Sequence, residues 1–237
     1  MYKPLIPWET LRTAGTDALA HLLVRQLVKG GGRSIIANNV FAGAKVAASE
    51  PDAPSDTEVL LTRLSDAWAW LAAHGFLGPE LTPGGNPHVR VTQSGIAFAE
   101  DDAAVAKVWA EDRLLGVTSP ALSTAKINLA MGEYETAAFS AMKAVEVAVR
   151  DSAGLPNSLV GVPLMRTAFG VSGKGALTDT EAEAGEQQAT MDLFAGAIGA
   201  FKNPSSHRTV SFDDPLEVAE IIQLADLLLR VVERRSA

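Results

Sequence analysis

The stretch FKNPSSHRTV, residues 201–210, gathers Lys202, Asn203, His207 and Arg208 around a proline. An ammonium, an amide, an imidazole and a guanidinium are the groups that bind a phosphate and move a proton beside it. A histidine with its ordinary pKa of about 6.5 serves as general base or general acid near neutrality. Lysine and arginine stabilise the charge that develops in a phosphoryl transition state. Each residue also has an ordinary use: a turn cap for His207, compensation of a helix C-terminal dipole for Lys202, a turn before proline for Asn203.

Spacing decides whether these groups can meet. In an unbroken helix, residues five apart point about 140° away from each other, which separates Lys202 from His207. Pro204 forbids that helix, because it lacks an N–H and pushes Asn203 out of the helical region. A turn at Asn203–Pro204 can bring the ammonium and the imidazole to one side of the helix end.

Helices must position this stretch. Ala is abundant, aromatic residues make up only 6%, and β-branched runs are short, so the chain is expected to be mainly α. Residues 119–154 read as a helical hairpin with its corner at 132–134. Phe139, Met142, Val145 and Val149 form its apolar face, and Lys143, Glu146 and Arg150 share a polar stripe. A short helix is expected near 162–169 and a long one over 180–203. The last, over 213–235, is marked by Asp214 at the cap, Pro215 at the first helical position and Glu217 behind them.

Upstream, helical spacing covers 14–29, 34–49 and 55–75, the last opened by a Ser55–Glu58 capping box and closed by Gly75. A Pro/Gly turn at 79–87 and a strand-like HVRVT at 88–92 follow, with a connecting helix over 101–119. Three helices, a strand, a glycine-rich turn and a second strand resemble a winged helix over residues 14–100. Such a module reads nucleic acid through basic residues on its third helix and wing. Here those places hold only Arg63, His88 and Arg90, which favours protein contact or dimerisation.

The net charge of −8 argues against broad duplex binding, and acidic residues outnumber basic ones in both halves. There is no cysteine, so disulfides, thiolate metal sites and a cysteine nucleophile are excluded. No His/Asp/Glu cluster has metal-ligand spacing, and SGKG at 172–175 lacks the phosphate-loop spacing, so neither metal nor cofactor is expected. No signal peptide and no apolar run of membrane-spanning length are visible, which gives a cytoplasmic expectation.

KNPSSHR is similar to the RNPxxH form of the HEPN superfamily, in particular its Ymh-like bacterial branch. The flanks GEYETAAFSAMKAVEVAVRDSAG, LVGVPLMRTAFG, DLFAGAIGAFKNPSSH and DPLEVAEIIQLADLLLRVV follow in the order that branch shows. The resemblance covers about residues 120–235 and departs from the pattern in having Lys202 where the family has arginine. It implies a HEPN-like helical bundle over residues 116–237, behind the winged-helix-like module with connecting helix over residues 1–115. It further implies a metal-independent endoribonuclease of the toxin or antiphage-defence kind, working as a homodimer on RNA, with a defence-system or antitoxin protein as a further partner. In that scheme His207 is the general acid or base, Lys202 stabilises the phosphate, and Asn203 orients either. Arg208, Glu146 and Arg150 support substrate binding. Two alternatives stand beside it: a catalytically silent HEPN domain binding RNA, nucleotide or a partner protein, and a winged-helix regulator dimerised by its helical domain.

Overall fold

The computed structural model describes residues 5–80, 88–202 and 212–236. The chain is mainly helical and forms two compact units, residues 1–105 and 106–237.

The first unit begins with a short helix the spacing did not announce, α1 (Trp8–Thr13), and continues with α2 (Thr16–Lys29), α3 (Ala37–Ala48) and α4 (Thr57–Ala73). The Ser55–Glu58 box does not form. Asp56 holds the cap position of α4 without capping it, because Arg12 on α1 takes its carboxylate at 2.8 and 3.0 Å. Gly75 stops α4 in the left-handed region, at φ 72°. The chain then pairs β1 (Leu77–Pro79) antiparallel with β2 (Val89–Val91), with Leu77 opposite Val91, and Ile35 bridges to Val89 on the far side.

Thr92 ends this ladder and caps α5 (Gln93–Glu100) by accepting the Gly95 N–H at 3.0 Å. Gly95 is needed there, since a Cβ would overlap the carbonyl oxygen of Phe76. Trp70, His74, Phe76 and Phe98 form an aromatic cluster behind the strands, with Phe76 and Phe98 stacked at 4.3 Å. His21 meets the edge of Phe98, so His21 and His74 both serve this packing.

A helix α6 (Ala104–Arg113) leads into the second unit. There α7 (Ser123–Ala130) and α8 (Tyr134–Ser152) make the expected hairpin, turned by Gly132 at φ 78°. They are followed by α9 (Gly161–Ala168), α10 (Ala184–Ala197) and α11 (Pro215–Ser236). Asp214 accepts the Leu216 N–H at 2.9 Å, so the start of α11 forms as its sequence directs. Helix α10 begins four residues later than its spacing suggests.

Helix α8 is the spine of this unit: α11, α7 and α9 all pack on it. Its buried row includes Met142, Val145 and Val149, joined by Leu164, Ile198, Ile222 and Leu228. Phe169 and Phe194 stack at 4.2 Å between α9 and α10. Burying one such large apolar side chain contributes about 1.5–3 kcal/mol. Gln187 ties the 170–182 loop to α10. Its amide donates to the Asp179 and Ala182 carbonyls and its oxygen accepts the Ser172 N–H, each at 2.9 Å. Among the described residues, no helix is long and apolar enough to cross a membrane.

Candidate functional site

Helix α10 passes at its C-terminal end into one π turn, Ile198–Lys202. A π turn re-aims the side chains that follow it, and such turns are frequent at functional sites. It leaves Ile198 in the core and directs Lys202 inward over α8.

Lys202 meets Glu146 there. Its Nζ donates to Glu146 Oε2 at 2.9 Å. The same oxygen accepts the Gly161 N–H at 2.8 Å, while Oε1 accepts from the Arg150 guanidinium at 2.9 Å. Arg150 Nε donates to the Leu159 carbonyl at 3.3 Å. Lys202 also lies over the Phe139 ring, 5.9 Å from its centroid. Glu146 and Arg150 are 5% and 8% exposed, so a carboxylate between two cations is sealed into the unit.

Burial is locally explained. Glu146 and Arg150 stand one turn apart on α8, each beside a core valine, Val145 and Val149. After α8 ends, the chain returns over its C-terminal half, and Leu159 and Gly161 cover the pair. Lys143, on the same stripe one turn earlier, is not covered and stays exposed. The polar stripe inferred from spacing is therefore split into a buried pair and an exposed lysine.

The electrostatics follow from this enclosure. Burial, the largest single influence on Glu146, pushes its carboxyl up. Hydrogen bonds from Lys202, the Gly161 N–H and Arg150 together outweigh it, and the net shift is downward. The carboxylate stays ionised, and the three side chains together carry one excess positive charge.

Of the six residues singled out by sequence, the structure joins Glu146, Arg150 and Lys202. Asn203, His207 and Arg208 lie outside the described residues, as does the turn at Asn203–Pro204. Sequence reasoning missed the Gly161 N–H, the Leu159 carbonyl and the lysine–Phe139 contact. A charged i,i+4 pair embedded among valines was the one local sign of the first two. Among the described residues, no group of three or more His, Asp or Glu side chains is placed to hold a metal ion.

Residues 119–232, which contain the whole network, match the family model described as a protein of unknown function (Hypoth_ymh). This half of the chain is similar to that family. The match spans α7 to most of α11, so the buried Glu146–Lys202 pair lies inside the Ymh-like region and the aromatic cluster of the first unit outside it. No curated protein and no solved structure matches the chain.

Proposed function

We propose that the Ymh-like half is a HEPN-type, metal-independent endoribonuclease of the toxin or antiphage-defence kind, acting as a homodimer. One observation carries the reading. The Lys202–Glu146–Arg150 network fixes the last turn before Asn203–Arg208, the stretch whose residue types suit phosphate chemistry. Rigid anchoring of a helix end is what a catalytic loop requires, because a misplacement of about 1 Å costs roughly a hundredfold in rate.

In this mechanism His207 takes the proton from the ribose 2′-hydroxyl, or gives one to the departing 5′-oxygen. The 2′-oxygen attacks the adjacent phosphorus, the P–O5′ bond breaks, and the 5′-oxygen leaves protonated. The products are a cyclic phosphate and a 5′-hydroxyl, with no water and no redox partner consumed. Lys202 and Arg208 offset charge on the phosphoryl oxygens. Asn203 orients the imidazole or the phosphate. Glu146 sets the position of Lys202, and with Arg150 leaves one net positive charge near the scissile group.

A second reading has its own support. Lys202 has only 14% of its side chain exposed and its amine is given to a buried carboxylate. A lysine so placed serves well as a structural counter-ion, and the half would then be a silent domain that binds RNA, nucleotide or a protein. Cleavage of RNA in the presence of a chelator separates the two. The nuclease reading expects cleavage that disappears in His207→Ala; the silent reading expects binding without cleavage.

A further inference from the structure

The outer face of α8 bears a shallow groove of about 550 Å³, floored by Ala144, Val147 and Ala148 and walled by Ala121 and Thr124. Val147 is 40% exposed at its centre. Lys143 and Asp151 stand at its two ends, both exposed. They lie four residues before and four residues after Val147, about 6 Å along the helix in either direction. Neither makes an ion pair or a side-chain hydrogen bond with a described residue.

This arrangement is complementary to itself. A two-fold axis lying in the plane of the contact, at right angles to α8 and level with Val147, would lay a second α8 antiparallel on the first. Lys143 of each copy then stands level with Asp151 of the other, twice over. An isologous contact needs such matching, in which residue i meets j and j meets i. Ala144 and Ala148 leave the helices room to approach to the 8–10 Å typical of packed pairs. A foreign partner gives no reason for opposite charges placed symmetrically about one apolar side chain.

We propose that this face of α8 is the seat of a second copy of the chain, packed antiparallel about Val147. The inference rests on the homodimer of the reading above and names its face, but it stands on charge placement and not on cleavage chemistry.

Charge exchange in the full-length chain tests it by sedimentation. Lys143→Asp alone and Asp151→Lys alone are each expected to weaken the dimer at least tenfold, since each sets like charges opposite one another. The double exchange is expected to return the dissociation constant to within about threefold of the wild type. The chain has no cysteine of its own, so Val147→Cys is a clean second probe. It is expected to oxidise to a covalent dimer. Circular dichroism of each variant separates dissociation from misfolding. A dimer that ignores both single exchanges, or a Val147→Cys dimer that does not cross-link, overturns the proposal while leaving the nuclease reading intact. A chain that stays monomeric overturns it together with the homodimer of the reading above. Loss of cleavage with the exchange pattern intact counts against the nuclease reading alone.

Discussion

Lys202 Nζ lies 2.9 Å from Glu146 Oε2, across 56 positions of sequence. The contact joins the end of α10 to the middle of α8 and turns a surface-type charge pattern into a buried one. Removing one member of such a network leaves another charge uncompensated, and breaking a buried pair in this way costs about 3–5 kcal/mol. Glu146→Ala takes the shared carboxylate from two cations at once, whereas Lys202→Met leaves Glu146 with Arg150 and the Gly161 N–H. Urea unfolding should therefore show the larger loss for Glu146→Ala, about 3 kcal/mol or more. The smaller loss, about 1–2 kcal/mol, belongs to Lys202→Met, on the scale of a hydrogen bond to a charged group. The reverse order would contradict the assignment of Glu146 as the hub.

The downward shift of Glu146 fixes a pH dependence. Its folded-state pKa lies below the ordinary value of 4.5, so its contribution is complete above that value and fades as pH falls through the folded-state pKa. The stability gap between wild type and Glu146→Gln should be constant from pH 8 to about 5 and should narrow below 4.5. Thermal melts at stepped pH check this. A gap that widens with acid would mean that the carboxyl is protonated in the fold.

Restoring the arginine of the RNPxxH pattern tests the phosphate role of position 202. Lys202→Arg offers a bidentate fork where lysine gives a point charge, and it is expected to keep or raise single-turnover RNA cleavage. Lys202→Met is expected to lower cleavage roughly a hundredfold, the scale of losing one transition-state donor. Equal rates in all three proteins would make Lys202 a structural counter-ion.

Gly95 tests the first unit. A Cβ at this position collides with the backbone of Phe76, which cannot move without opening the turn into β1. Gly95→Ala should destabilise this unit by about 1–3 kcal/mol, the cost of overpacking a close contact. Fluorescence of Trp70 against temperature reads the effect, because this indole sits in the cluster with Phe76 and Phe98.

Local chemistry was legible where it was self-sufficient. Asp214–Pro215 marks the start of α11 using only adjacent atoms, and Gly75 and Gly132 end their helices because the backbone there turns left-handed. The Ser55–Glu58 box failed because a distant residue, Arg12, competed for the cap position through Asp56. The split of the α8 stripe was hidden for a similar reason. Periodicity places Lys143, Glu146 and Arg150 on one side of a helix. Only the return of residues 159–161 over that side buries the last two. Spacing also put Phe139 in the apolar face without showing that it lies beneath Lys202. The π turn at 198–202 has no periodic signature, and it is what aims Lys202 at Glu146.

RNA cleavage by the purified full-length chain with EDTA present, wild type against His207→Ala, separates a metal-independent nuclease from a silent domain. Chelator-resistant cleavage by the wild type is expected, with a loss of at least a hundredfold in the variant, the scale of removing a general acid or base. Undiminished cleavage by a folded, dimeric His207→Ala protein, or no cleavage of RNA by the wild type, would contradict it.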